Sequence, residues 1–199
     1  MRTLFTLTAA ALCGTIDAQG VITRISEGEH FFYYENDLVP VFAAISPLGH
    51  DTIILPGGQV NASDNLIIQW PVVIIGAGIR ADSSLAYGGK TEIIGHYQRN
   101  LQIMENADGT EFHGLSFLDD QWANVGFGNN IATSGADNVR FVRCEIPDLK
   151  LGYNYQGSNA HNALVQECVI KRLDVCQGHE PLIRSSFVSA LMNCPAASN

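Results

Sequence analysis

The side chains best suited to chemistry include a small acidic and aromatic group. Asp119 and Asp120 directly follow an apolar segment, and Trp122 comes two residues later. Carboxylate oxygens are the ligands that Ca²⁺ prefers, and an aromatic face is a platform on which a pyranose ring stacks. We therefore predict a sugar-binding role for these three residues. No obligatory cofactor is predicted, although the carboxylates are suited to Ca²⁺. The alternative to a binding role is a solvated loop without function.

A glycine-rich segment and the histidines give weaker signals. Gly76–Ala81 (GAGIRA) follows an apolar run and matches the G-x-G-x-x-A pattern of dinucleotide-binding turns. Only six residues separate it from the next Gly-Gly pair, too few for the helix that such a site needs, so we predict a turn between strands. His113, His161 and His179 lack the spacing of zinc ligands, and no metal site is predicted.

Composition excludes several classes of protein. The 199 residues carry 11 Lys and Arg against 20 Asp and Glu, giving a formal net charge of −9, with 46% hydrophobic and 16% charged residues. Disorder requires less hydrophobicity and more charge, and nucleic-acid binding requires clustered basic residues. No apolar run of about 18 residues follows the N-terminal region. Neither a nucleic-acid partner nor a membrane span is therefore predicted.

Residues 1–18 have the features of a secretory signal peptide. Met1 and Arg2 give a short basic start, an apolar stretch runs to Ile16, and Ala18 ends a usable cleavage sequence. The prediction is a secreted or cell-surface protein, with a buried N-terminal element as the alternative.

Removal of that peptide leaves four cysteines, an even number that permits two disulfides in an exported chain. Cys144 and Cys168 occupy equivalent positions of the repeat described next. Stacked parallel neighbours rarely have suitable Cβ directions, so we favour buried free thiols for this pair. Cys176 and Cys194 are the candidate disulfide.

Four segments in the second half of the chain align without gaps as an irregular repeat. Each begins with a small residue, and their starts are 29, 24 and 18 residues apart: Ala107–Phe117, Ala136–Ile146, Ala160–Ile170 and Gly178–Val188. The sixth and eleventh positions are always apolar. The step of three between the sixth and ninth positions breaks the strand period of two, which predicts a strand, a bend and a second strand in every unit.

Stacking of the units would bring equivalent residues into columns with a spacing of about 4.8 Å. The predicted internal ladder consists of Phe112, Phe141, Val165 and Ile183. Asn138 and Asn162 would form a short amide ladder at a turn, and Arg143 would pair with Glu167 on the outside.

The first half of the chain has the same character. Apolar strands are expected within Asp51–Gly58, Pro71–Gly78, Thr91–His96 and Leu101–Met104. Ahead of them, Asn36 or Asp37 can cap a short helix that runs to about Ser46 and has Pro40 in its first turn. This helix suits the open end of a stack of strands, because it has an apolar stripe of Leu38, Val41, Phe42 and Ile45.

The order of amphipathic helix, "DTIILPGG", "PVVIIGAG" and units such as "NVRFVRCEI" resembles the pectin lyase-like right-handed parallel β-helix superfamily over roughly residues 37–190. The resemblance implies an all-β solenoid of about five to seven coils with an N-terminal capping α-helix. The expected organisation is a signal peptide at 1–18, a strand and the capping helix at 19–50, the β-helix at 51–190 and a tail at 191–199.

The same resemblance implies an association with extracellular polysaccharide, through binding or through cleavage by a uronate lyase or a glycoside hydrolase. Uronate elimination needs a base and cations that neutralise the carboxylate. Arg143 and Arg184, one register position apart, therefore join Asp119, Asp120 and Trp122 as candidate substrate-binding residues.

No residue matches a catalytic motif of the family, so none is assigned a catalytic role. The alternative function is a non-catalytic surface or adhesin-like structural protein. Uncovered strand edges at the C-terminal end would favour self-association or a longer chain.

Overall fold

The computed structural model describes residues 20–47, 50–80, 89–95, 100–120, 125–126, 131–152, 161–176 and 181–194. Within these residues the chain is mainly β-strand, arranged in largely parallel sheets, with a single short α-helix. The predicted all-β class is therefore confirmed. The predicted signal peptide lies outside the described residues.

The helix, α1, spans Val39–Ala43. The strands before residue 80 are β1 (Ile22–Ser26), β2 (Glu29–Tyr33), β3 (Asp51–Ile54), β4 (Gly58–Ala62), β5 (Leu66–Ile68) and β6 (Val72–Ile75). The strands up to residue 134 are β7 (Thr91–Gly95), β8 (Leu101–Met104), β9 (Glu111–His113), β10 (Leu115–Phe117), β11 (Asp119–Asp120), β12 (Val125–Gly126) and β13 (Ile131–Ser134). The remaining strands are β14 (Arg140–Val142), β15 (Glu145–Leu151), β16 (Leu164–Gln166), β17 (Val169–Cys176), β18 (Leu182–Arg184) and β19 (Phe187–Cys194).

The first sheet has eight strands in the order β18-β16-β14-β9-β6-β3-β1-β2. The six strands from β3 to β18 run parallel, whereas β1 is antiparallel to both β3 and β2. The register joins equivalent residues into one file of Ile53, Ile74, Phe112, Phe141, Val165 and Ile183. The predicted ladder is therefore confirmed, and it extends two strands further towards the N-terminus.

The second sheet has nine strands. Seven of them follow the order β4-β7-β10-β15-β13-β8-β5; β17 pairs with β15, and β19 pairs with β17. The first part of β15 pairs with β10, and its last part pairs with β13. The long strands therefore carry two core files each, one through Ile146 and Ile170 and another through Leu149 and Leu173. The sequence pattern indicated the first of these files and missed the second.

The bend inside each unit has a fixed backbone conformation. The eighth register position has a left-handed φ in all four units: Gly114 (64°), Arg143 (53°), Glu167 (55°) and Ser185 (50°). The third position does the same in the three units described there: Gly109 (77°), Asn138 (58°) and Asn162 (57°). Three of the eighth-position residues are not glycine, although this region is unfavourable for residues with a Cβ atom. The break in the period of two is thus a left-handed residue.

Ninth-position side chains contact backbone groups at each bend. The thiols of Cys144 and Cys168 and the hydroxyl of Ser186 lie 3.3–3.5 Å from the sixth-position carbonyl of the preceding unit. They lie 2.9–3.4 Å from the seventh-position carbonyl of their own unit. The Cys144 N–H donates to Cys168 Sγ (3.4 Å), and the Cys168 N–H donates to Ser186 Oγ (3.1 Å). Each side chain therefore ties two units together.

Cys144 and Cys168 are free and buried, as predicted. Burial raises the pKa of the Cys144 thiol well above its ordinary value, which keeps it in the protonated form that can donate.

This arrangement predicts different outcomes for two substitutions of Cys168. Cys168→Ser keeps a donor and an acceptor in the place that Ser186 already fills one unit later, so we expect a change of less than about 1 kcal/mol in the free energy of unfolding. Cys168→Val strands the Cys144 N–H and should cost about 2–3 kcal/mol. Urea unfolding of the two variants measures the difference, and a valine variant as stable as the serine variant would contradict the assigned role.

The helix α1 differs from its prediction in length. It ends at Ala43, not near Ser46, because the next two N–H groups bond three residues back and Pro47 disfavours a helical Ser46. The prediction of Asn36 or Asp37 as the N-cap is wrong, because the N-cap residue is Leu38. Asp37, one residue earlier, still accepts the Val39 N–H through Oδ1 (3.1 Å). The predicted apolar stripe is at most 6% exposed at each of its positions, Leu38, Val41, Phe42 and Ile45.

A buried ion pair lies beside α1. Arg24 Nη1 of β1 is 2.8 Å from Asp51 Oδ2 of β3, and the two side chains are 9% and 0% exposed. The same carboxylate oxygen accepts the Ser46 N–H (3.0 Å). Burial by itself would raise the pKa of Asp51, but hydrogen bonds from Ser26, Ser46 and Arg24 outweigh it and lower that pKa. The pair holds β1, β3 and the segment after the helix together.

The C-terminal strand β19 extends beyond the predicted end of the strand region. β19 continues to Cys194, so the strand region passes the expected limit at residue 190, because Phe187–Cys194 pairs along most of β17. Cys176 and Cys194 are backbone neighbours in that pairing. Their side chains lie outside what the structure describes, and the disulfide stays a prediction.

Candidate functional site

The bends of the stacked units form the floor of an open groove with a volume of about 1270 Å³. One wall is the outward file of the seventh position, with Ile75, His113 and Val142. The other is the outward file of the tenth position, with Glu145, Val169 and Phe187. Because these files cross the strands, the groove follows the stacking direction. From β6 to β18 it spans four strand steps, roughly 19 Å.

The centre of the groove carries an ion pair between two bend residues. Arg143 Nε lies 3.4 Å from Glu167 Oε2, and the side chains are 71% and 47% exposed. This is the outer pair that the repeat register predicts. Such an exposed pair is worth about 0–1 kcal/mol, so both groups remain available to a ligand.

A second polar group occupies the tenth-position wall. Glu145 Oε2 accepts the Ser116 hydroxyl (2.8 Å) and lies 3.2 Å from Lys90 Nζ, which is also 3.0 Å from Glu92. Burial by itself would lower the pKa of Lys90, but its bonds to Glu92 and Glu145 outweigh it and raise that pKa. Lys90 therefore stays a cation, and Glu145 is held in place as a carboxylate acceptor.

His113 gives the opposite wall its polar group. Its Nε2 lies 2.8 Å from Glu111 Oε2, and Arg140 approaches the other oxygen of the same carboxylate (3.3 Å). This partner of His113 was not predicted, because the sequence spacing of His113 was compared only with that of zinc ligands. Glu111 is two residues earlier and therefore shares its face of β9.

The C-terminal end of the groove is apolar. Phe187 is 64% exposed and Val169 is 42% exposed, both on the tenth-position file. An exposed aromatic side chain in a groove with charged neighbours is a stacking surface for a sugar ring. Phe187 is not among the site residues predicted from the sequence, although its outward tenth register position is a signal that identifies it.

The glycine-rich segment lies in the groove but is already engaged. The Gly76 and Gly78 N–H groups donate to the carbonyls of His113 (2.8 Å) and Gly114 (3.0 Å), and the Ala77 N–H donates to Thr91 Oγ1 (2.8 Å). A Cβ atom at Gly76 would lie 2.6 Å from the Gly114 carbonyl oxygen. Close packing between units therefore requires this glycine, and these three amides are not available to a pyrophosphate.

Of the five residues predicted to bind substrate, Arg143 is the one that the structure places in the groove. Arg143 lines the groove. Arg184 is one register position from Arg143 but lies on β18, two strands further along the sheet. Val142 pairs with Gln166, and Gln166 pairs with Arg184, so the two strands are about 10 Å apart. Asp119 and Asp120 form β11, paired with β12, and their side chains lie outside the described residues, as does Trp122. Their predicted sugar-binding role stays a prediction.

Within the described ranges, no three His, Cys, Asp or Glu side chains are grouped closely enough to hold a metal ion. No helix in the described part of the chain has the length and apolarity to cross a membrane. Comparison of the chain with protein families, curated proteins and solved structures gives no match in any of the three.

Proposed function

We propose that this chain is a secreted protein of the pectin lyase-like type, a right-handed parallel β-helix that binds extracellular polysaccharide in the groove. The observation that carries the proposal is a groove which crosses five stacked strands and combines charged bend residues with the exposed Phe187. An extended sugar chain lying along the stacking direction meets a repeated backbone and a new set of side chains at every unit.

The solenoid architecture is supported by the strand pairing. Six parallel strands in one sheet, joined by segments that contribute strands to the other sheet, describe a chain that returns to the same face once in every unit. Parallel crossover connections are right-handed in about 98% of cases, which is why we assign that hand.

The ligand is inferred from the balance of groups in the groove. Arg143 and Glu167 neutralise each other. Lys90 offsets one of its two carboxylate partners, Glu92 and Glu145, and the lining residue Arg80 balances the other in formal charge. The central surface therefore offers hydrogen bonds more than net charge. Phe187 adds an aromatic face. Hydroxyl-rich polymers use this combination of polar contacts and ring stacking.

The proposal predicts how two substitutions in the groove change the binding of three polymers: pectate, alginate and a neutral glucan. Phe187→Ala should weaken the binding of each polymer about tenfold, or roughly 1.4 kcal/mol, because the stacking surface is lost. Arg143→Ala should weaken only the acidic polymers. Affinity electrophoresis or calorimetry measures both effects.

Tyr34→Ala is the matched control for binding, because that aromatic side chain is 75% exposed and does not line the groove. Unchanged binding by Phe187→Ala, or an equal loss in the Tyr34 variant, would exclude the groove as the site. Binding of none of the polymers would exclude the proposed function.

Cleavage is tested separately, because no groove residue is assigned as a base. Incubation with pectate or alginate, with and without Ca²⁺, produces an unsaturated uronate that absorbs ultraviolet light if the protein is a lyase. Release of reducing ends without that absorbance would indicate a hydrolase. With binding but neither product, the protein is a binding module.

The second candidate function is a non-catalytic structural protein at the cell surface. Exposed apolar residues on the last two strands favour it, namely Leu182, Ile183, Phe187 and Leu191. Failure to bind any polysaccharide, together with self-assembly, would favour this candidate over the first.

A further inference from the structure

The first sheet ends in two edges with matching directions. Among the described residues, β18 pairs only with β16 and β2 pairs only with β1. Because β1 is antiparallel to both β2 and β3, β2 runs parallel to β3 and therefore to β18. A β2 strand from another molecule could thus continue the parallel sheet beyond β18 without any change of direction.

The side chains on the two edges also match. Arg24 pairs in register with both Phe31 and Ile53, so Phe31 belongs to the same file as the core residues that end in Ile183. The two end members, Phe31 and Ile183, are 37% and 38% exposed, whereas Phe141 in the middle is fully buried. At the C-terminal end, Ile183 lacks the cover that the central members have. At the N-terminal end, the Arg24 guanidinium lies over the Phe31 ring, 4.3 Å from its centroid, and the rest of that side chain stays exposed.

The second sheet shows the same complementarity. At its C-terminal edge, Leu191 continues the file of Leu149 and Leu173 but is 60% exposed, and the eight residues of β19 include neither charge nor proline. Solvated edge strands normally carry such protecting residues. At the opposite end, α1 contacts β5 and turns small or apolar side chains outward at Pro40, Ala43 and Ala44.

Charge on the two ends is of opposite sign. Glu27, Glu29 and Glu35, in and next to the β1–β2 hairpin, are all exposed. Arg184 is the only charged residue between positions 181 and 194, and it is exposed on β18. Opposite charges favour the approach of one end to the other and disfavour the approach of two identical hairpins.

We propose that the partner of each end is a second copy of this chain, docked head to tail, with β2 of one copy added in parallel to β18 of the other. Phe31 then covers Ile183, and the outer face of α1 covers Leu191. This interface joins two different surfaces, so a pair of copies keeps one free edge at each of its two ends. Repetition of the contact gives linear oligomers whose grooves follow one another along a common axis.

The test uses the purified chain and two blocking variants, Phe31→Ser for the N-terminal edge and Leu191→Glu for the C-terminal edge. Sedimentation velocity over a concentration series should show the unaltered chain growing beyond the mass of a monomer, which is 21.6 kDa for all 199 residues. Each variant alone should raise the dissociation constant tenfold or more. An equimolar mixture retains one complete junction, so it should form dimers and nothing larger.

Met104→Lys is the control, since Met104 is 36% exposed on β8, which pairs on both sides and is not an edge strand, and this variant should assemble normally. Circular dichroism confirms the folding of each variant, and Arg184→Glu replaces the Leu191 variant if that one misfolds. A chain that stays monomeric at every concentration would overturn the proposal. So would normal assembly of the Phe31 variant, which would indicate contact between two C-terminal ends.

Discussion

Phe141→Ala should lower the free energy of unfolding by about 3–5 kcal/mol, the range for a buried phenylalanine whose removal leaves a cavity. Phe141 is 0% exposed at the middle of the core file. Its ring stacks on that of Phe112, with centroids 4.9 Å apart and planes 5° apart. The cavity would lie between two strands whose backbones are fixed by pairing on both sides, which limits collapse around it.

Phe187→Ala is the matched control, because it removes the same atoms from a side chain that is 64% exposed. We expect a loss of less than about 1 kcal/mol for this variant. Chemical unfolding followed by circular dichroism measures both. Equal losses would mean that the file does not form a packed interior.

Asp51→Asn should have a comparable effect at neutral pH, about 3–5 kcal/mol, because it leaves Arg24 buried without its counter-charge. The carboxylate contributes to stability above its ordinary pKa of 3.8, since the fold lowers that pKa. As the pH falls towards and through the lowered pKa, the original chain loses this contribution progressively. The two proteins should therefore converge in stability in acid.

Urea unfolding from neutral to acidic pH measures that convergence, with the exposed Glu35→Gln as the control. Its stability should follow that of the original chain at every pH. A constant difference between Asp51→Asn and the original chain would show that the substitution acts through packing and not through the charge.

Much of the interior could be predicted from the sequence because it follows from two periodicities. Apolar alternation places the core files, and alignment of the four units places Phe112 beside Phe141. The same alignment correctly predicts the pairing of Arg143 with Glu167 and the free thiols of Cys144 and Cys168. These features depend only on the register.

Other features depend on information that the alignment lacks. At the third register position, Gly109 and Asn138 are residue types that tolerate a left-handed φ. At the eighth position, Arg143 and Glu167 are not, so these residue types did not indicate the conformation of the bend. The second core file escaped prediction because the alignment stopped at Ile146, before Leu149.

The groove depends on which outward files flank the bend. The candidate residues were selected by chemical type, which is why Arg143 was found and Phe187 was not.

The unequal spacing of the repeat has a practical consequence. Unit starts are 29, 24 and 18 residues apart, yet the paired strands keep their register. Chain length between units is therefore decoupled from the position of the core files. Peptides grafted into these connections would be displayed at intervals set by the paired strands. The protein is therefore suited to serve as a scaffold that presents foreign epitopes at fixed distances.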